Sequence, residues 1–383
     1  MTVRVNKSSF NIREKLSELG RKFGLKGSEL VAAETVQEAR DLVSAGRKNL
    51  LINGDHNVDQ RNGGSAITPT HNQKITDRWR CELAQSSKYT AQQSGTAPDG
   101  FRKSLKITSS SAYNPGASDY FLITQDIEGY TASRAAFGTS SAKPVTLSFW
   151  VRSSLTGTFA CSIRNKAFNR THIKEYTIFS ADTWEYKILT FPGITDGTWE
   201  TGSNQGIRVN WSLGAGTDFH GDPNTTLNTN DYATAASTNV VSTNGATWYM
   251  TGAQFEIGRN GTEFEYRSFG EELALCQRYY GKIRLSNQEW IYNESNAASH
   301  TWWMGYVPFS MRANPDVDTS DLTMGISVSG LSGTVSSVVA ATPGDTPGRI
   351  SMRVNMSANS GTDRAMYHTD GWSSDYISVN ADY

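Results

Sequence analysis

Six carboxylates are available for acid and base work, Asp55, Asp59, Asp77, Asp182, Glu185 and Glu200, some of them near Trp79, Trp184 and Trp199 in sequence. Two carboxyl groups supply the acid and the nucleophile or base of glycoside hydrolysis, and an indole offers a face for a sugar ring. Glycan cleavage is therefore the enzyme reading that the residues raise first. It is outweighed, because acidic residues fall beside tryptophans by chance in any aromatic-rich β-protein.

Other chemistry is less well supplied. No glycine-rich phosphate loop ending in lysine, no His-Glu-x-x-His and no Gly-x-Ser-x-Gly occurs. His56, His71, His172, His220, His300 and His368 are scattered without metal-ligand spacing and read as surface or loop residues. Cys81, Cys161 and Cys276 are far apart and form no Cys-x-x-Cys pair, so they read as buried thiols and not as disulfides or a zinc site. Asp218, Asp222, Asn224, Asn230 and Asp231 carry hard oxygens suited to calcium, but their spacing is not that of an EF-hand, and a solvated loop is the preferred reading. No catalytic, cofactor or metal residue is assigned, and the protein is expected not to be an enzyme. Aromatics can instead stack on sugars, and Trp290, Trp302, Trp303 and Trp372, with Tyr292 and Tyr376, are the candidates. Their competing and preferred role is the core of a small β-unit.

The 383 residues allow two or three compact units. Aromatic residues make up 11 % and charged residues only 19 %, with abundant Gly, Ser, Thr and Asn, a balance that favours strands joined by polar turns. A formal net charge of −1 gives no overall field for nucleic acid or an anionic membrane. Residues 1–48 nevertheless hold ten Lys or Arg against six Asp or Glu, a basic arm on a mildly acidic body. The beginning has no signal-peptide pattern and no run is long enough to span a bilayer, so synthesis in a reducing cytoplasm without membrane insertion is expected.

The elements that would position these residues fall into three blocks. Phe10, Ile12, Leu16, Leu19 and Phe23 recur at helical spacing and place an apolar face on a first helix. Thr35 and Glu38 form a capping box that starts a second, running through Leu42 and Val43 to Gly46. Such short helices need burial against the body or a partner. Strands are expected at 49–52, 104–108, 120–127, 145–151, 157–163, 172–179, 185–191, 207–213 and 247–257, a spacing that points to a sandwich or jelly roll. Residues 213–240 read as a long exposed loop. A short helix is expected within 271–279, followed by strands at 302–309, 322–328, 334–339, 350–356 and 376–381. The expected domains are thus 1–48, a helical arm, 49–270, a β-sandwich, and 271–383, a small β-domain. No internal repeat or collagen-like period announces a fibrous shaft.

Two segments resemble a known family. VRVNKSSFNIREKLSEL, continuing into LVAAETVQEARDLVSAGRKNLLINGDHNVDQRN and ITDRWRCEL at 75–83, is similar to the N-terminal region of virion structural and tail-fibre-like proteins of marine phages, cyanophages especially. TGAQFEIGRNGTEFEYRSFGEELALCQRYYGKI at 251–283 resembles a block near the end of the sandwich domain of phage tail fibres, where a Gln-x-Glu strand leads into a segment with Phe264, Arg267, Glu271, Glu272, Leu275, Cys276, Arg278, Tyr279 and Tyr280 in register. Together they cover roughly a quarter of the chain.

The resemblance implies a jelly-roll domain of the kind also used by carbohydrate-binding modules, a small C-terminal β-domain, and a virion structural protein. Residues 1–48, through Phe10, Ile12, Leu16, Leu19 and Phe23, would attach to a tail adaptor or nozzle, or to the capsid. A homo-oligomer, commonly a trimer among phage fibres, and contact with host surface polysaccharide follow from the same likeness. A capsid-decorating knob is the alternative to a tail fibre. A virion-bound depolymerase ranks below both, since phage depolymerases are usually larger and built on a β-helix.

Overall fold

Val145, Leu147, Phe149 and Val151 are fully buried and alternate with Thr146, Ser148 and Trp150. A period of two is what a strand shows when one face lies on a core. It recurs through the computed structural model, which describes residues 47–284, 300–306, 309–313, 315–318, 325–328, 331–343, 349–356 and 376–382. From Leu50 on, the described residues belong to one compact unit. Phe10, Ile12, Leu16, Leu19, Phe23, Trp290 and Trp372 lie outside the described residues, and Trp302 and Trp303 lie on a strand whose backbone alone is described.

The body is a jelly-roll β-sandwich of two antiparallel sheets. In spatial order the first contains β1 (Lys74–Thr76), β2 (Trp79–Leu83), β5 (Tyr120–Glu128), β10 (Gln205–Ala215), β7 (Gly157–Arg164), β8 (Thr171–Ile178) and β11 (Thr226–Leu227). The second contains β3 (Tyr89–Ser94), β4 (Ser104–Ser109), β12 (Thr247–Ile257), β6 (Val145–Ser153) and β9 (Glu185–Phe191). The chain repeatedly crosses from one sheet to the other, so apolar stripes from both meet in a single core. Trp79, Trp211 and Trp248 are its largest members, and the Trp79 and Trp211 rings are 5.3 Å apart.

Eight of the nine strands expected in the body are present within about two residues of the expected ends, a margin normal for such boundaries. Residues 49–52 form no strand. Leu50 and Leu51 enter the core on an irregular segment, where the Leu50 N–H donates to the Phe255 carbonyl at 2.8 Å, and the chain then turns at Asn53 with φ 57°. The expected exposed loop at 213–240 is also corrected. Thr226–Leu227 adds an edge strand to β8, and Tyr232, Ala233 and Thr234 are buried over the outer face of the first sheet. Its segments lack periodicity because side chains elsewhere hold them: Arg164 donates to Asn230 Oδ1 at 2.5 Å and to the Tyr232 hydroxyl at 2.9 Å.

That outer face carries a buried charge network. Glu82 accepts from Arg80 and Arg164, each at 2.7 Å, and from Arg208, while Asp126 accepts from Arg208 Nε at 2.5 Å and lies 2.9 Å from Arg80. Burial alone would raise the Glu82 carboxyl, but Arg208, Arg164 and Arg80 outweigh it and hold the group below its ordinary value. Arg208 and Arg80 depress Asp126 in the same way.

After the sandwich comes a helix, Phe269–Gln277, which begins two residues before the region expected. Ser268 and Glu271 form its capping box, and Glu272 turns inward to accept the Asn53 N–H. Tyr266 and Phe269, just before and at the start of the helix, are 62 % and 61 % exposed. The helix delivers β13 (Tyr280–Arg284), which joins β19 (Tyr376–Asn380) and β15 (Asp316–Asp318) in a three-stranded sheet. β14 (His300–Tyr306), β18 (Arg349–Met356), β17 (Leu331–Pro343) and β16 (Gly325–Val328) form a four-stranded one.

The recognisable Cys-x-Arg-Tyr-Tyr run is the joint between sandwich and C-terminal sheet. Cys276 is buried, Arg278 pairs with Glu128 at 2.7 Å, and the Tyr279 hydroxyl donates to Glu128 at 3.1 Å. Arg78 stacks over the Tyr279 ring at 3.4 Å and Arg61 over the Tyr280 ring at 3.6 Å. Asp382, just past β19, closes the joint by pairing with Arg61, with Arg78 at 2.9 Å and with Lys74 at 3.3 Å.

His56 and His172, read from sequence as surface or loop residues, are both buried. Burial against Trp79 pushes His56 down to about 3 from 6.5, and burial pushes Asp77 up to about 6 from 3.8. Burial also pushes His172 down to about 4 and raises Asp55 and Glu272. Between about pH 4 and 6 unfolding therefore lets the two histidines gain protons while Asp77, Asp55 and Glu272 lose them, and the opposing effects on stability largely offset. Glu82, Asp126 and Asp382 are depressed, so their contribution is complete above the ordinary carboxylate range and is lost as pH falls through their folded values. The urea midpoint is therefore expected to change little from about pH 6 to 4.5 and to drop steeply below about pH 4. A midpoint that already falls between pH 6 and 5 would contradict this balance.

Candidate functional site

The outer face of the second sheet carries a cleft of about 490 Å³ lined by Asp99, Phe101, Trp150, Tyr186, Gly261, Thr262, Glu263, Phe264 and Tyr266. Its size lies within the usual range for small-molecule sites. Trp150 on β6 and Tyr186 on β9 point outward because their neighbours Phe149, Val151 and Leu189 point into the core. Their ring centroids are 5.3 Å apart at 44°.

The wall is the segment after β12, held down by two outward side chains of that strand. Glu256 accepts from the Thr262 N–H and from its hydroxyl, each at 2.8 Å. The Gln254 amide accepts from the Glu265 N–H at 2.8 Å and donates to the carbonyls of Thr262 and Glu263 at 3.3 and 3.2 Å. The Gln-x-Glu pattern of the recognisable block is thus a clamp that shapes the cleft.

Phe101, Phe264 and Tyr266 form a trio, with Phe101 5.3 Å from Phe264 and 5.6 Å from Tyr266. Phe101 arrives on a Pro98-Asp99-Gly100-Phe101 turn, whose Phe101 N–H donates to the Pro98 carbonyl at 3.1 Å and whose Gly100 has φ 89°. That backbone suits glycine at the third position. Gly252 makes room for the ring: it sits in a β12 bulge with φ 60°, and a Cβ there would meet Phe101 at 2.6 Å. Burial and the charge of Asp55 push the Tyr266 phenol upward, so its hydroxyl stays a donor at neutral pH.

Tyr186, 39 % exposed, and Tyr266 present apolar ring surface to solvent beside two carboxylates, Asp99 and Glu263. Such a set can take the C–H face of a sugar while accepting bonds from its hydroxyls.

None of the six carboxylates considered for hydrolysis lines the cleft. Asp55 bonds Asn57, Asp59 accepts the N–H groups of Asn62 and Gly64, and Asp77 accepts that of Gln60. Asp182 pairs with Arg152, and Glu185 accepts from Phe179 and Ser180. Trp79 is core, its indole donating to the Asn53 carbonyl at 2.7 Å, while Trp184 packs on Tyr249 and Trp199 on Phe137. Four of the calcium-loop oxygens are committed separately: Asp218 to Ser118, Asn224 to Lys174, Asn230 to Arg164 and Asp231 to Thr229. Among the described residues no group of three His, Cys, Asp or Glu is placed to hold a metal, and no helix is long and apolar enough to cross a membrane.

Sequence reasoning missed Asp99, Phe101, Trp150 and Tyr186. The signals that could have found them were the Pro-Asp-Gly turn and the lone glycine inside the 247–257 strand.

Fold and cleft together define a jelly-roll β-sandwich with an aromatic groove on the outside of one sheet. No family model and no curated protein matches the sequence. Similar solved structures include a putative sugar binding protein from Bacteroides thetaiotaomicron, at 12 % identity and TM-score 0.34, over 55 % of this chain and 100 % of that one. The enzymatically active domain of tailspike protein 4 of bacteriophage CBA120 matches at 14 % identity and TM-score 0.30 over 55 % of this chain. The match spans only 21 % of the tailspike chain. A family 11 carbohydrate-binding module from Clostridium thermocellum, in complex with a β-1,3-1,4-mixed-linked tetrasaccharide, matches at 12 % identity and TM-score 0.29, over 51 % and 98 % of the two chains.

Proposed function

We propose that this protein is a non-enzymatic, glycan-binding structural subunit of a phage particle. The observation that carries the glycan part is the cleft on the second sheet, where exposed Tyr186 and Tyr266 stand beside Asp99 and Glu263. The phage part rests on the two sequence segments that resemble marine-phage virion proteins. In this reading residues 1–48 attach the subunit to tail or capsid, the sandwich projects outward as part of a homo-oligomer, and the cleft meets host polysaccharide.

Replacing Tyr186 or Tyr266 by alanine should each weaken glycan binding by about three- to tenfold, the value of one ring contact. The unfolding midpoint should barely move, because neither ring is buried. Binding measured by calorimetry that is unaffected in both variants would defeat the assignment. Imaging of labelled particles separates tail fibre from capsid knob, and appearance of reducing ends on incubation with host polysaccharide would replace the binding reading by a depolymerase.

A further inference from the structure

We propose that Asn260–Gly261, in the wall of the cleft, is a site of spontaneous deamidation whose isoaspartate product displaces the wall and weakens ligand binding. The modification stands on its own observations, and its effect on binding rests on the glycan reading. An asparagine followed by glycine is prone to this reaction because no Cβ shields the glycine nitrogen. That nitrogen gives up its proton to hydroxide and attacks the asparagine Cγ; a C–N bond forms, and the side-chain amide leaves as ammonia. Water then opens the five-membered imide at either carbonyl. One product is aspartate. The other, isoaspartate, runs the main chain through the side-chain carbon and lengthens it by one methylene.

The sequence has four Asn–Gly steps, and tertiary structure separates them. Asn53 is buried, its amide donating to the carbonyls of Val58 and Asp77 at 2.8 and 2.9 Å. Asn62 donates its amide to the Ile75 carbonyl. Asn244 is exposed, but the Gly245 N–H that would have to react donates to the Ser109 carbonyl at 3.0 Å. At Asn260, also exposed, neither the side chain nor the Gly261 N–H has a hydrogen-bond partner among the described residues. The chain on either side is pinned. The Thr190 hydroxyl donates to the Arg259 carbonyl at 2.9 Å, and Glu256 holds the Thr262 N–H and hydroxyl, each at 2.8 Å. Gly261 lines the cleft and packs so near Ile188 that a Cβ would come within 3.0 Å of it. An extra methylene between those pinned ends has to push Gly261 out of place or break the Thr262 bonds.

The test follows the full-length protein through incubation at neutral and mildly alkaline pH, with a synthetic peptide of residues 257–264 as the unfolded reference. Peptide mapping by mass spectrometry reads the amide-to-acid change at each of the four asparagines, and an isoaspartyl methyltransferase reports isoaspartate. Asn260 is expected to convert at least about fivefold faster than Asn53, Asn62 or Asn244, the factor one hydrogen bond is worth, and faster still as pH rises. Conversion of Asn62 or Asn244 at the same rate, or an Asn260 intact through many half-lives of the peptide, would overturn the site. The aspartate and isoaspartate forms are then separated and probed, beside fresh protein, on gluco-, galacto-, manno-, N-acetylhexosamine and uronate oligosaccharides. The isoaspartate form should bind about three- to tenfold more weakly, the loss expected when a ring contact is displaced, and the aspartate form about as well as fresh protein. Asn260→Gln, whose longer side chain disfavours the ring closure, should not change with age. Equal affinities of the two aged forms would overturn the coupling to the wall. Fresh protein that binds no oligosaccharide would defeat the glycan reading, and the ranking of the four asparagines would then be judged alone.

Discussion

Asp382→Ala is expected to destabilise the protein by about 3 to 5 kcal/mol, the usual cost of removing one partner from a buried ion cluster. The carboxylate is almost enclosed and meets Arg61, Lys74 and Arg78, which outweigh its burial and hold its pKa below the ordinary range. Without it, three cations stay buried with no counter-charge from this residue. The loss should concentrate at the joint: amide exchange should accelerate first in β19, two residues away, and in its neighbours β13 and β15. Adding Lys74→Met to the variant should restore part of the stability, because it removes one stranded charge. A urea-unfolding difference below about 1 kcal/mol would show that apolar packing, and not this clamp, seats the C-terminal sheet.

Glu82→Ala should have an effect of similar size, also about 3 to 5 kcal/mol, for a related reason in the adjoining network of the same sheet. Its two oxygens serve Arg80, Arg164 and Arg208, and its loss leaves Arg80 and Arg208 sharing Asp126 while Arg164 keeps the uncharged Asn230 and Tyr232. Arg164 also holds Asn230 and Tyr232, so protection should fall in the 226–234 segment as well as in β2 and β10. Because the residues act as one network, Glu82→Leu combined with Arg164→Met should cost less than the sum of the single changes. Additive single and double variants in denaturant titrations would break the network into independent pairs. The distinction matters for the fold, since this network occupies the face that the 217–234 segment covers.

Much of the sandwich was legible because strands buried on one face write their burial directly into the sequence. Val145, Leu147, Phe149 and Val151 show it plainly. The segment 49–52 misled because two adjacent leucines, both buried, look like strand when the backbone is in fact turning. The 213–240 stretch misled in the opposite direction. Its order comes from partners such as Arg164 and Ala160, far away in sequence and absent from any local period.

By itself, then, the sequence determined the β class, most of the strand positions, three cysteines without a pairing pattern and the helix that leaves the sandwich. Local periodicity is short-range physics and can be read from neighbouring residues. The cleft was decided only by tertiary structure. Tyr266 bonds to Gly100, 166 positions earlier, and Trp150 and Tyr186 meet the same space because the pairing of β6 with β9 and the bulge at Gly252 turn them toward it. Sheet register and the crossing of the chain between sheets set those distances. No local pattern of residue types encodes them.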